Sequence, residues 1–201
     1  MTLADVDGNG TLDLFVANNR ATDSHDLAEF GKIGVFKEDG RLAIPPALRD
    51  RFVITNRAIE EYGEPSQLYL NDGQGRFTPV SWTNGAFLDE SGNALADPPR
   101  DWSLTAAFRD VNGDGAPDLY VCNDYWTPDR FWLNDGKGHF RACASLALRH
   151  TSKYSMGVDF ADIDRDGFVD FFTVDMLARD WPRRKREYLP PGYPRPPIRD
   201  D

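Results

Sequence analysis

The chain has 201 residues, a formal net charge of −10, 40 % hydrophobic and 12 % aromatic side chains. That apolar content is enough for a real core and excludes global disorder, while the acidity argues against nucleic acid and anionic membrane surfaces as partners. No apolar run approaches the ~20 residues of a spanning helix, so no membrane insertion is expected.

The first motif, Leu3-Ala-Asp-Val-Asp-Gly-Asn-Gly-Thr-Leu-Asp-Leu-Phe-Val, begins almost at once. No signal peptide precedes it, and so abrupt a start reads as a fragment or as a chain whose true N-terminus is missing. Residues 20–65 form an insertion with its own apolar side chains, among them Ile33, Val35, Phe52 and Ile54. A hairpin from Ile33 to Ile44 around Glu38-Asp-Gly and a short helix from Ala47 to Phe52 after Pro45-Pro46 are expected there, an α/β insertion overall. Both of its ends should lie at one rim of the domain, which makes it the likeliest functional surface.

A second motif, Tyr69-Leu-Asn-Asp-Gly-Gln-Gly-Arg-Phe, carries hairpin-turn chemistry, because glycine permits positive φ. The first motif returns as Phe108-Arg-Asp-Val-Asn-Gly-Asp-Gly-Ala-Pro-Asp-Leu-Tyr-Val, the second as Trp132-Leu-Asn-Asp-Gly-Lys-Gly-His-Phe, and the first again as Phe160-Ala-Asp-Ile-Asp-Arg-Asp-Gly-Phe-Val-Asp-Phe-Phe-Thr. The repeat length is about 52 residues from Asp110 to Asp162. Each repeat reads as strand, acidic loop, strand, turn, strand, Asn-Asp-Gly turn, strand. Four short antiparallel strands per ~50 residues is a propeller blade. The fold class is therefore all-β: an incomplete β-propeller of about two to three four-stranded blades, over residues 1–178. The first repeat is expected to lack its innermost strand and the third its outer two, so the rest of the propeller is missing. Residues 179–201, with Arg183-Arg-Lys-Arg and several prolines, form a basic, Pro-rich connector.

The acidic loops follow the template Asp-x-Asp/Asn-x-Asp/Asn-Gly-x-x-Asp. Together they hold three, three and four aspartates, as many as the net charge excess. Calcium takes six to eight hard oxygens in a flexible arrangement. Side chains at positions 1, 3 and 5 of a tight loop point inward, glycine at position 6 permits the turn, position 7 offers a carbonyl, and the aspartate at position 9 closes the cage. The candidate ligands are Asp5, Asp7, Asn9, the Thr11 carbonyl and Asp13; Asp110, Asn112, Asp114, the Ala116 carbonyl and Asp118; and Asp162, Asp164, Asp166, the Phe168 carbonyl and Asp170. Up to three calcium ions are expected, bound most tightly at Asp162, whose loop offers four carboxylates against three in each of the others. The competing reading is a set of ordinary Asx turns. An EF-hand is excluded, because position 12 holds Val16, Val121 and Thr173 instead of glutamate.

The loops with their strands resemble FG-GAP repeats, also called VCBS repeats, as in integrin α-subunit propellers. The likeness is closer to bacterial VCBS proteins of the cartilage acidic protein (ASPIC/UnbV) group, through Asn-Asp-Gly-x-Gly-x-Phe, Ser155-Met-Gly-Val-Asp-Phe-Ala-Asp and Val174-Asp-Met-Leu-Ala-Arg-Asp. The resemblance implies a seven- or eight-bladed propeller, calcium in the loops and an extracellular, cell-surface or periplasmic location. The C-terminal ASPIC/UnbV domain has no counterpart in this sequence, and the family carries no defined activity.

No catalytic signature accompanies the loops. His25, His139 and His150 are scattered, and no nucleophile elbow, phosphate loop or dinucleotide fingerprint occurs. A non-catalytic module for a protein or carbohydrate ligand is the expected function, with a calcium-stabilised scaffold or a non-catalytic part of a secreted enzyme as the alternative. Trp82, Trp102, Tyr125, Trp126 and Trp181 are the aromatics available either for such a surface or for the contact between blades. Cys122 and Cys143 fall on strands separated by a third and are read as free thiols.

Overall fold

A computed structural model describes residues 1–20, 36–38, 41–55, 59–148, 150–176 and 179–180. Ile33, Val35, His25, Trp181 and nearly all of the basic, Pro-rich stretch lie outside the described residues. The strands are β1 (Thr2–Ala4), β2 (Asp13–Val16), β3 (Phe36–Glu38), β4 (Arg41–Ala43), β5 (Phe52–Ile54), β6 (Ile59–Glu61), β7 (Gln67–Asn71), β8 (Phe77–Pro79), β9 (Phe87–Leu88), β10 (Ser103–Arg109), β11 (Asp118–Asn123), β12 (Arg130–Asn134), β13 (Phe140–Ala142), β14 (Ser155–Ala161) and β15 (Asp170–Asp175).

Three small sheets carry the repeats. The first is β1-β2-β7-β8, the second β10-β11-β12-β13 with β9 added at its outer edge, and the third the pair β14-β15. All pairings are antiparallel except β13 with β9, where Phe140 faces Phe87. The innermost strands stand side by side, β10 packing against both β1 and β14. This is the arrangement of an incomplete, propeller-like all-β fold in which, among the described residues, no sheet closes.

The first blade departs from expectation. It does have an innermost strand, of three residues, with Leu3 opposite Leu14 and Ala4 opposite Asp13. The acidic loop is itself the turn of a hairpin, so the residues immediately before it fall into register with β2. In the insertion, β3 and β4 form the expected hairpin. The expected helix is a single 3-10 turn at Pro46–Leu48, because the Phe52-Val53-Ile54 run that would extend it pairs instead with β6.

The core lies between the first two blades. Leu119 and Val121 point one way from β11, into a cluster with Phe15, Leu68, Trp82, Phe87, Trp132 and Phe140. Tyr120 and Cys122 point the other way, and Tyr120 meets Phe160 and Phe171 of the third blade at ring-centroid distances of 6.4 and 5.2 Å. Every residue of β11 is buried, as a central blade strand covered on both faces requires. The thiols of Cys122 and Cys143 are free, and burial pushes that of Cys122 up to about 11.

The insertion is tied down at both ends and in the middle. Asn19 accepts the Glu64 N–H at 3.0 Å, and the Asn18 side chain donates to the Pro65 carbonyl at 2.9 Å, so its two ends do meet. The indole N–H groups of Trp102 and Trp126 donate to one and the same acceptor, the carbonyl of Glu61, at 2.8 and 2.9 Å. Gly63 lies so close to the second blade that a Cβ there would sit 1.9 Å from the Asp101 carbonyl oxygen. Only glycine permits that approach.

Phe87 is fully buried, with Trp82, Phe140 and Trp132 at ring-centroid distances of 3.9, 5.2 and 5.4 Å. Phe87→Ala is expected to lower stability by about 3–5 kcal/mol, the usual cost of an aromatic-sized cavity. Urea unfolding with an unchanged m-value reads this directly; a loss under about 1 kcal/mol would place Phe87 outside the core.

Candidate metal centre

Each acidic loop joins the two inner strands of its blade and is built on hydrogen bonds from its own backbone to its aspartates. In the first, Asp5 Oδ1 accepts the N–H groups of Gly8 and Asn9 at 2.9 and 3.1 Å, and Oδ2 accepts that of Gly10 at 2.8 Å. In the second, Asp110 accepts Gly113 and Asp114 on Oδ1 and Gly115 on Oδ2, at 2.7, 3.2 and 2.9 Å. In the third, Asp162 accepts Asp166 and Gly167 at 3.0 Å each. The position-7 N–H groups of Thr11, Ala116 and Phe168 donate to the position-5 side chains of Asn9, Asp114 and Asp166, each at 2.8 Å. The first aspartate thus gathers three successive donors or two of them, which turns the chain back on itself.

The structure brings Asp5, Asp7 and Asp13 together, with one oxygen of each within 4.8 Å of the others, and does the same for Asp162, Asp164 and Asp166. The second loop carries an amide at Asn112, whose Nδ2 donates to Asp114 at 2.8 Å. Hard oxygens from carboxylates and amides, converging within a few ångströms in a loop rich in positive φ, are a donor set suited to calcium. Like charges held that close repel in the absence of a counter-ion.

The position-9 aspartates do more than line a loop. Asp13 accepts the Val6 N–H at 2.9 Å on one oxygen and the Asn71 N–H at 2.8 Å on the other. Asp118 repeats this with Val111 at 3.0 Å and Asn134 at 2.9 Å. Each carboxylate therefore fastens the loop to the third strand of its blade. Both are buried, and burial pushes their carboxyls above the usual carboxylate range, against the pull of the backbone N–H groups. Asp170 keeps its loop partner, Ile163, at 3.0 Å. It is exposed, because among the described residues no third strand lies beside it.

Two features of the site escaped the sequence reading. The first is position 4, in the left-handed region in all three loops: Gly8 at φ 75°, Gly113 at 77° and Arg165 at 64°. The Gly-x-Gly spacing of the first two loops carries that signal, and Arg165 departs from it. The second is Asn71 and Asn134. Both were legible as turn residues, but their backbone N–H groups complete the carboxylate bridges. The side chain of Asn134 also donates to the carbonyl of Val6, in the first blade's loop, at 3.0 Å, alongside the Gly138 N–H at 2.9 Å. The Asn-Asp-Gly turn of one blade is thus docked on the acidic loop of the blade before it. Val6 is fully buried under that turn, whereas Ile163, its counterpart in the third loop, is 66 % exposed.

Among the described residues, His139 and His150 form no cluster with the loops. His139 Nδ1 lies 2.9 Å from Asp135 Oδ2 within its own hairpin, and His150 is exposed. Of the aromatics, Trp82 belongs to the core, Trp102 and Trp126 are half-buried, and Tyr125 is 50 % exposed.

Arg165→Gly should raise stability by about 0.5–1 kcal/mol, since it removes the left-handed strain of a residue with a Cβ and loses part of that gain to unfolded-state entropy. Chemical denaturation of the calcium-free protein measures the change. A loss of stability would mean that the Arg165 side chain contributes more than its backbone costs.

Comparison with curated proteins and with solved structures gives no match. Residues 110–173, from the first aspartate of the second loop to the middle of β15, match the family model of the FG-GAP-like repeat.

Proposed function

We propose that the chain is a calcium-loaded, non-catalytic propeller module of an exported protein, which binds a protein or carbohydrate ligand. The match of 110–173 to the FG-GAP-like repeat supports an adhesion- or binding-type propeller module. Calcium, the extracellular setting and the kinship with the VCBS proteins of the cartilage acidic protein group are our reading. The observation that carries it is the convergence of Asp5, Asp7 and Asp13, and of Asp162, Asp164 and Asp166, to within 4.8 Å in two loops of one template. In this reading, calcium neutralises charge that the fold otherwise holds together by backbone N–H groups and the side-chain amides of Asn9 and Asn112. It also stiffens the loops on which the Asn-Asp-Gly turns dock.

The scaffold alternative draws support from the same geometry. The Val6 carbonyl links the first acidic loop to the second blade, so ions in the loops would serve the contact between blades whether or not a ligand binds.

Calcium is expected to raise the melting temperature. A ligand at tenfold over its dissociation constant stabilises the folded state by roughly 1.4 kcal/mol per site, so up to three sites add several kcal/mol. Differential scanning calorimetry in EDTA and in millimolar calcium tests this, and coincident transitions would remove calcium from the reading. Isothermal titration orders the sites. The loop at Asp162 is expected to bind most tightly on charge count, so Asp166→Ala should abolish the tighter step and Asp114→Ala a weaker one. The reverse assignment would show that burial and pre-organisation, greater in the first two loops, outweigh the fourth carboxylate.

A further inference from the structure

A cleft of about 530 Å³ opens where three separate parts of the chain meet. The insertion contributes Thr55 and Glu60, the β11–β12 connection contributes Tyr125 to Pro128, and the segment before β14 contributes Thr151 to Lys153. None of these residues belongs to an acidic loop. From its lining we infer that this cleft is a carbohydrate-binding site, with Tyr125 as its stacking platform and Glu60 and Lys153 as its hydroxyl-recognising groups.

The lining has a specific chemistry. Among the described residues its aromatic and ring surface comes from Tyr125, Trp126 and Pro128, and none of those lining it is Leu, Ile, Val or Met. A lipid or the apolar face of a helix requires aliphatic walls. A pyranose ring offers instead a C–H face that packs on an aromatic ring and a rim of hydroxyls that donate to a carboxylate and accept from an ammonium group. The volume falls in the range of small-molecule sites. The rest of the wall is hydroxyl-bearing: Thr55, Thr127, Thr151 and Ser152.

The aromatic side chains are fixed in place. Trp126 is held by its indole N–H on the Glu61 carbonyl at 2.9 Å and lies 6.0 Å from the Tyr62 ring. Trp102, held by the same carbonyl at 2.8 Å, lies 5.8 Å from the Tyr125 ring. Tyr125 itself is half exposed and has φ 69°, in the left-handed region where a bulky residue is strained. Glycine at this position would satisfy the backbone without strain, so the ring is what the position gains. Glu60 and Lys153 also line the cleft; burial raises the Glu60 carboxyl above its usual range and the Lys153 ammonium lowers it in part, while Lys153 Nζ lies 5.0 Å over the Tyr154 ring. A preorganised aromatic platform loses little freedom when a rigid sugar binds.

This inference rests on the binding-module reading, and its test separates the two. The full chain is titrated with cellobiose, lactose, N,N′-diacetylchitobiose and digalacturonate, in calcium and in EDTA, with tryptophan fluorescence and saturation-transfer NMR as readouts. Saturable binding of at least one disaccharide is expected. Tyr125→Gly should weaken it by about tenfold or more while keeping a melting temperature at or above that of the unaltered protein. Tyr125→Phe, which keeps the ring, should bind within about threefold of the original. No saturable binding of any of the four overturns the inference, as does unchanged affinity in Tyr125→Gly, or binding of a peptide library at the cleft in place of sugar. Calcium binding without sugar binding fails this inference alone. Sugar binding without any calcium effect upholds it and fails the calcium reading.

Discussion

Each of the two complete blades is organised around a carboxylate that has been taken out of water. Asp13 and Asp118 are buried, and each spans two backbone N–H groups, one in the acidic loop and one on the third strand of its blade: Val6 and Asn71 for the first, Val111 and Asn134 for the second. A buried carboxylate with both oxygens occupied is held in one orientation, because an unpaired one there would forfeit its desolvation cost with no return. The acidic loop, the Asn-Asp-Gly turn and the register of the strands between them follow from that fixed point.

The same motif couples one blade to the next. The Val6 carbonyl accepts from Asn134 and Gly138 of the second blade. The aromatic cluster around Phe87 and Trp132 fills the space beneath, and Tyr120 passes the contact on to Phe160 and Phe171. Polar docking at one end and apolar packing in the middle therefore set the same spacing between sheets. Anything that alters the charge in an acidic loop acts on the interface between blades as well as on the loop. This is why the proposed calcium bears on stability.

The proposed ligand site lies where the regular pattern is interrupted. The insertion is pinned by two indole N–H groups on the Glu61 carbonyl and by the close approach of Gly63 to Asp101. That pinning orients Trp102 and Trp126 and leaves Tyr125 half exposed beside them, on a strained backbone. Arg130 locks the base of the same region through a two-point ion pair with Asp101, at 2.8 and 3.0 Å. A rigid rim of this kind suits selective recognition, since its side chains are already ordered before a ligand arrives.

The sequence by itself determined the repeat, its strands and the composition of the loops. β-Branched and aromatic runs of strand length such as Leu119-Tyr-Val-Cys, glycines that permit positive φ and aspartates at fixed offsets are local signals, each legible within about ten residues. It also placed Trp82 among the candidates for blade contacts without deciding between core and surface. Only the tertiary structure decided that, because burial depends on which sheet faces which. The three-residue β1, the parallel addition of β9 to β13 and the strand at Phe52 that displaces the expected helix are outcomes of pairing between distant segments, for which no local signal exists. The double duty of Asp13 and Asp118 was hidden for the same reason: the partners at Asn71 and Asn134 lie on a strand that reaches the loop only once the blade has folded.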